Sequence, residues 1–188
     1  MVPAREVVAS LYGAYRLARF DAGGLRFLND STEGFWRSFF AAVLVLPFYL
    51  VLLVVRHATA MEHVAGVRFY AIEMIAYVIA WVAFPLIMAS FARILDRDRF
   101  YVRFIVAYNW AAVLQNGVYL PITILTAAGL LPDPLANTLG LAALGVIVVY
   151  VWFVTRTALE IEAGKAAGIV GLDFLLSILI NAVAEGMV

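Results

Sequence analysis

The chain has 188 residues, of which 65% are hydrophobic and 14% charged, and its mean hydropathy is +0.98. A soluble domain is nearer half apolar and a quarter charged, so this chain could not cover its surface in water. The formal net charge is zero, so the chain has no overall electrostatic field that would attract nucleic acid. The absence of cysteine excludes disulfides, thiolate metal sites and cysteine nucleophiles. The composition predicts an integral membrane protein.

Residues 1–34 are basic and have no uninterrupted apolar core, so we expect no cleavable signal peptide. Helical spacing within this segment predicts an amphipathic helix over residues 4–20, with Arg5, Arg16 and Arg19 on its polar face. Such a helix suits the inner leaflet, where each arginine would gain about 1 kcal/mol from anionic lipid. The alternative is an ordinary helix packed on the cytoplasmic end of a bundle. The predicted apolar face consists of Ala4, Val7, Val8, Leu11, Ala14, Tyr15 and Ala18.

Five apolar stretches follow, at about residues 35–55, 69–92, 104–128, 135–155 and 166–187. Each has the roughly 20 residues that a helix needs to cross the hydrocarbon. Asp173 interrupts the fifth stretch, so four spans with a re-entrant end is the alternative. The sequence predicts an all-α fold, a polytopic membrane helix bundle. It would have a cytoplasmic interfacial segment at 1–34 and a transmembrane domain at 35–188.

The start of the first span has the residues expected at a helix entering a membrane. Asn29–Thr32 are good N-cap types, and Trp36 with Arg37 suits an anchor at the membrane surface. With five spans, eleven basic residues fall on one side of the membrane, whereas only Arg56 and Arg68 fall on the other. This bias predicts a cytoplasmic N-terminus and a C-terminus outside. The eleven are Arg5, Arg16, Arg19, Arg26, Arg37, Arg93, Arg97, Arg99, Arg103, Arg156 and Lys165.

Two of the spans carry polar stripes. We call them together the polar seam, which consists of Asp173, Ser177, Asn181, Asn109, Asn116 and Thr123. The fifth-span members recur every fourth residue, with Glu185 next in line, and the third-span members recur every seventh, with Gln115 off that line. Because polar groups in hydrocarbon need partners, we expect the two stripes to face each other, directly or through a third helix. Asp173 is then either a packing residue, with Lys165 as one conceivable partner, or an ion-responsive carboxylate lining a path.

The fifth span has two further faces. Gly164, Gly168 and Gly171 would let another backbone approach closely, which predicts helix packing. A third face suits lipid, and the helix should therefore be wedged between neighbours rather than peripheral. This third face consists of Ile169, Leu172, Leu176, Leu179 and Val183.

Internal prolines occur in three spans, at Pro47, Pro85 and Pro121. Each removes a backbone hydrogen bond, so each could act as a hinge, although proline is common in membrane helices. Glu73 lies near the outer end of the second span, where Arg56 or Arg68 could form an interfacial ion pair with it. A substrate-binding carboxylate is the alternative.

No catalytic motif is present, and the sequence predicts neither an enzyme nor a cofactor. His57 and His63 are six residues apart, so they do not share a helical face, and with Glu62 they make at most a weak metal site. Asp96 and Asp98 lack the extended aspartate array of an intramembrane lipid transferase. The many aromatic residues suit membrane interfaces.

The layout of a cytoplasmic N-terminal segment, five closely spaced spans and an outside C-terminus resembles the Yip1-like membrane proteins. The stretch NDSTEGFWRSFFAAVLVLPFYLVLL (Asn29–Leu53) is similar to the start of small bacterial members of that group. The resemblance implies a bacterial inner membrane and a role in interaction or membrane organisation, but no functional residues.

Two functions follow as expectations. The first is an interaction or membrane-organising module that contacts the bilayer and a protein partner or further copies of itself, without catalysis. The second is a small oligomeric transporter or channel whose path follows the polar seam around Asp173 and Asn116. Five helices leave little room for a pore within one protomer, which favours the first.

Overall fold

The structure, a computed structural model, describes residues 2–59 and 66–187. The described residues form seven α-helices and two 3₁₀ segments, without strands, so the predicted all-α class is confirmed. The helices are α1 (Ala4–Ala18), α2 (Thr32–Ser38), α3 (Phe40–Thr59), α4 (Gly66–Ile94), α5 (Tyr101–Ala127), α6 (Asp133–Leu159) and α7 (Ala163–Met187). The 3₁₀ segments are Ala22–Phe27 and Asp98–Phe100.

Five helical stretches are long and apolar enough to cross a membrane, which is the pattern of a multi-pass membrane protein. The first joins α2 to α3, the third adds Asp98–Phe100 to α5, and the others are α4, α6 and α7. The fifth is one continuous helix of 25 residues, so the alternative with a re-entrant end is wrong. Asp173 lowers the hydropathy of α7 without interrupting its backbone hydrogen bonds. We call the end of the bundle where α2, α5 and α7 begin the N-terminal end, and the other the C-terminal end.

Helix α5 lies at the centre of the bundle. It packs against α3 on one side and α6 on the other, while α7 packs against α4 and α6. The densest core fills the N-terminal half, where aromatic and aliphatic side chains from α4, α5 and α6 are almost completely buried. The largest of these are Trp110, Phe84, Phe104, Met88, Ile105 and Leu159.

Helix α1 packs against α5, α6 and the segment Ala22–Phe27, and the face that it buries overlaps the predicted one only in part. Val8 is 67% exposed and Tyr15 is 49% exposed. The buried residues are Ser10, Gly13, Ala14 and Leu17. The reason is a close approach of two backbones, because a Cβ atom on Gly13 would lie 2.7 Å from the carbonyl oxygen of Gly24. Small residues therefore face the bundle beside Leu17, and of the predicted face Val7, Leu11, Ala14 and Ala18 still pack against the core.

Polar contacts fix α1 to the start of the first span. Ser31 caps α2 by accepting a 3.1 Å hydrogen bond from the backbone N–H of Gly34, as the N-cap prediction requires. Arg37 then pairs with Glu6 of α1 at 2.7 Å and with Glu33 at 2.6 Å. Tyr150 of α6 donates to the carbonyl oxygen of Ala14 at 2.9 Å. These contacts support the alternative of a helix packed on the bundle.

Candidate functional site

A cavity of about 640 Å³ lies between α3, α4, α5, α6 and α7, and all five helices contribute side chains to it. It runs from Tyr108 and Asp173, in the N-terminal half of the bundle, to Arg56 and Glu185 at the C-terminal end. Its volume falls within the range of roughly 300–1,000 Å³ that is typical of small-molecule sites. A single protomer therefore has room for a solute, contrary to the expectation that five helices leave little space.

The polar stripe of α7 faces this cavity. Asp173, Ser177, Asn181 and Glu185 all line it, as their spacing of four residues predicts for one face of a helix. The stripe is thus directed into the protein, and the apolar residues of α7 meet lipid or the neighbouring helices. This arrangement satisfies the rule that polar groups in a span avoid hydrocarbon.

The polar stripe of α5 is only partly in the cavity. Asn116 and Thr123 line it together with Gln115. Asn109 does not, because its side chain is completely buried and donates a 2.9 Å hydrogen bond to Ser38 of α2. The prediction for Asn109 is wrong because Tyr108, its neighbour in sequence, is the residue that faces α7 at this level.

Tyr108 donates a 2.8 Å hydrogen bond to Oδ1 of Asp173. Within residues 2–59 and 66–187, Oδ2 of Asp173 accepts no hydrogen bond, and no cationic group lies within 4.0 Å of the carboxylate. Lys165 is exposed instead of paired with it. Asp173 therefore has one fixed partner and one oxygen available to the cavity.

Tyr108 is not among the residues that the sequence pattern predicts for the polar seam. The signal that identifies it is a second periodicity on α5, because Tyr108, Ala112, Gln115, Tyr119 and Thr123 follow helical spacing and all line the cavity.

An aromatic cluster closes the cavity toward the N-terminal end. We call Phe84, Phe104 and Tyr108 the aromatic plug. The ring centroids of Phe84 and Tyr108 are 4.6 Å apart, and those of Phe84 and Phe104 are 6.1 Å apart. Phe84 and Phe104 are 1% and 0% exposed, so among the described residues the cavity ends at Asp173 and the aromatic plug.

Charged residues surround the opposite end of the cavity. Glu73 is 4% exposed and accepts hydrogen bonds from Tyr49 at 2.7 Å and from Arg56 at 3.1 Å. Arg56 also lies 3.8 Å from Glu185. The predicted ion pair of Glu73 is confirmed with Arg56. Arg68 instead donates to the carbonyl oxygen of Met187 at 2.8 Å.

Aromatic side chains form much of the remaining wall. Tyr49 and Tyr77 stack with centroids 4.7 Å apart, and Trp81 lies 6.2 Å beyond Tyr77. Tyr119 and Phe174 line the cavity from α5 and α7. The expectation that aromatic residues serve membrane interfaces therefore does not describe these five.

The glycine face of α7 is directed away from the bundle. A Cβ atom added to Gly164, Gly168 or Gly171 would meet nothing within 4 Å, so the predicted helix packing at these glycines is wrong within the chain. Ile169 is buried and Leu176 packs against the core, although both were predicted to face lipid. The polar stripe sets the rotation of α7, which leaves the glycines outward. Helix α7 is wedged between α4 and α6 as predicted, but the glycine face is not one of its packing faces.

The three predicted lipid-contacting arginines differ in their surroundings. Arg5 and Arg19 are exposed, on the same face of α1 as Tyr12 and Tyr15. Arg16 donates a 2.6 Å hydrogen bond to Asp21, which holds the pKa of that carboxyl below its usual value of 3.8. Arg16 is therefore partly neutralised, and lipid contact by Arg5 and Arg19 stays a prediction.

The part of the chain that the structure describes contains no group of three or more potential His, Asp or Glu metal ligands. Glu62 and His63 lie outside the described residues, so the weak metal site stays a prediction. The ring of His57 stacks on Phe69 at 5.1 Å. Pro47, Pro85 and Pro121 lie inside the uninterrupted helices α3, α4 and α5, and their role as hinges also stays a prediction.

No family model, curated protein or solved structure matches the chain. The resemblance to the Yip1-like proteins stays a prediction.

Proposed function

We propose that the protein is a small membrane transporter that binds a polar or charged solute in its central cavity. The observation that carries this proposal is a cavity lined by all five spans that reaches the available oxygen of Asp173. A carboxylate in the middle of a span is costly unless it is paired or hydrated, so one directed into a cavity favours a functional role.

The cavity also has the electrostatic character of a binding site. Among the lining residues that the structure describes, Asp173 and Glu185 are the two carboxylates and Arg56 is the single cation. Arg56 already contacts Glu185, and it also pairs with Glu73, which does not line the cavity. The unbalanced charge lies at Asp173, at the closed end, where low-dielectric walls strengthen its field.

Transport requires the aromatic plug to open. Phe84 precedes Pro85, whose missing N–H leaves the carbonyl of Trp81 without its usual helical partner. Helix α4 is therefore weakest beside the plug. Bending there would separate Phe84 from Tyr108 and connect Asp173 with the N-terminal end of the bundle.

The proposed orientation places the N-terminal end in the cytoplasm of a bacterial cell. The helix order supports it, because the loops with eleven of the thirteen basic residues all belong to that end of the bundle. The cavity then opens to the outside, and the plug faces the cytoplasm.

Cysteine accessibility tests this proposal, since the chain contains no cysteine of its own. In Ser177→Cys the new thiol lines the cavity. Leu179→Cys is the matched control, because Leu179 lies on the same helix but is 59% exposed and does not line the cavity. Each variant is treated with a charged, membrane-impermeant methanethiosulfonate reagent, first from outside intact cells and then from the cytoplasmic side in inverted vesicles.

A transporter should expose the thiol of Ser177→Cys to both sides, and Leu179→Cys should react from neither. Reaction from one side alone would indicate a binding cavity without transport. Failure of Ser177→Cys to react from either side would mean a dry, structural seam and would refute the proposal.

The interaction or membrane-organising module is the second candidate. The exposed glycine face of α7 supports it, because Gly164, Gly168 and Gly171 offer a surface that a partner helix or a second copy could approach closely. Cross-linking from a cysteine at Gly168 in native membranes tests this candidate, and a single stoichiometric product would favour it. Neither candidate requires catalysis or a cofactor.

A further inference from the structure

We infer that the solute is an organic cation whose positive centre approaches Asp173 and whose apolar part contacts aromatic rings. This inference rests on the proposed function and narrows it to a chemical class. The feature that carries it is the combination of one available carboxylate with aromatic walls in a single cavity.

The aromatic walls suit a cation that is weakly hydrated. Tyr77 and Trp81 lie one turn apart on α4, and Tyr49 stacks on Tyr77 from α3. Tyr108 and Phe174 stand beside Asp173 in the same cavity. The negative face of an aromatic ring attracts ammonium groups, and tryptophan does so most strongly. A compact inorganic cation would instead require several oxygen ligands.

Several donors at the cavity are already used within the protein, although Nε2 of Gln115 has no hydrogen-bond partner among the described residues. The hydroxyl of Tyr108 donates its hydrogen bond to Asp173, and the hydroxyl of Tyr49 donates its hydrogen bond to Glu73. One side-chain N–H of Asn116 donates a hydrogen bond to the carbonyl oxygen of Ala112, and the hydroxyl of Thr123 donates one to the carbonyl oxygen of Tyr119. An anion would find Arg56 already engaged with Glu73 and Glu185. Because Arg56 is engaged and Oδ2 of Asp173 is not, the charged groups of the cavity favour a cation over an anion.

Binding of phenyltrimethylammonium to the purified full-length protein tests the inference. Isothermal titration calorimetry is performed in detergent micelles against protein-free micelles. tert-Butylbenzene has the same shape without the charge, and benzenesulfonate has the opposite charge. We expect saturable binding of the cation below about 10 mM and at least about tenfold weaker binding of both other compounds.

Two pairs of variants assign the binding to the cavity. Asp173→Asn retains an oxygen that can accept the Tyr108 hydrogen bond but removes the charge, and Glu162→Gln makes the same charge change at an exposed residue outside the cavity. Trp81→Leu removes a wall ring, and Trp36→Leu removes a ring that is 70% exposed and outside the cavity. We expect about tenfold weaker binding in the Asp173 and Trp81 variants, and unchanged binding in the two controls.

The outcomes separate this inference from the proposed function. If the neutral compound binds as tightly as the cation, if benzenesulfonate alone binds, or if the cation does not saturate, the inference is wrong. The same holds if Asp173→Asn and Trp81→Leu bind like the wild-type protein. In each case the reaction of Ser177→Cys with impermeant reagents still decides whether the cavity serves transport.

Discussion

Tyr108 of α5 is joined to Asp173 of α7 by a hydrogen bond of 2.8 Å, although α7 packs mainly against α4 and α6. The bond crosses the closed end of the cavity. Tyr108 is also part of the aromatic plug, with its ring 4.6 Å from that of Phe84. Tyr108 therefore contacts both the candidate binding carboxylate of Asp173 and Phe84 of the aromatic plug. A structural change at Asp173 can therefore be transmitted to the aromatic plug through Tyr108 alone.

Replacing Tyr108 with Phe removes the hydroxyl and retains the ring of the plug. We expect the free energy of unfolding to fall by about 0.6–2 kcal/mol, the usual contribution of an interhelical hydrogen bond in a membrane protein. Unfolding in mixed micelles with increasing SDS measures it. Tyr119→Phe is the control, because the Tyr119 hydroxyl forms no hydrogen bond among the described residues. Equal effects of the two variants would argue against a stabilising Tyr108–Asp173 bond.

Replacing Glu73 with Gln should destabilise the C-terminal end of the bundle. Glu73 is 4% exposed and accepts hydrogen bonds from Tyr49 and Arg56. Loss of its charge leaves both donors poorly paired, which costs about 1–3 kcal/mol. Glu33→Gln is the control, because Glu33 is 67% exposed in its pair with Arg37 and a surface pair contributes only about 0–1 kcal/mol. The two losses are compared by the same unfolding assay, and a larger loss in Glu33→Gln would contradict the assignment.

Glycine to alanine substitutions should have opposite effects at two positions. In Gly34→Ala the new Cβ would lie 1.9 Å from the carbonyl oxygen of Asn29, so the start of the first span must move and the protein should lose about 1–3 kcal/mol of stability. In Gly168→Ala nothing lies within 4 Å, and alanine favours a helix by about 1 kcal/mol, so stability should stay equal or rise. Melting curves of the two variants measure this difference.

A loss of stability in Gly168→Ala would itself be informative. It would mean that the exposed face of α7 contacts another molecule. Size-exclusion chromatography with light scattering would then detect a change in oligomeric state.

Asn109 and Ser38 should behave as a structural pair. Ser38→Ala leaves the buried amide of Asn109 without its 2.9 Å acceptor, and we expect a loss of about 1–3 kcal/mol. The double variant Ser38→Ala with Asn109→Leu removes both polar partners and should recover most of that loss. Unfolding measurements on the single and double variants complete the cycle. The reactivity of a cysteine at Ser177 should not change, because Asn109 does not line the cavity.

The sequence alone determined the helical class, the five spans and the polar face of α7. These features depend on local properties, because hydropathy over about 20 residues specifies a span and helical spacing specifies which side chains share a face. The N-cap at Ser31 and the ion pair of Glu73 with Arg56 were also predictable, since each joins residue types whose chemistry leaves few other partners.

Tertiary structure decided how the helices are rotated and which faces meet. Tyr108 rather than Asn109 reaches α7, the glycines of α7 face outward, and α1 buries Ser10 and Gly13 while Val8 and Tyr15 are exposed. These outcomes depend on contacts between distant segments, and in lipid an apolar face gains little by choosing protein over hydrocarbon. Hydrophobic periodicity therefore does not specify rotation in a membrane bundle. Close backbone approach and the partners of a few polar groups do, and both exist only once the helices are assembled.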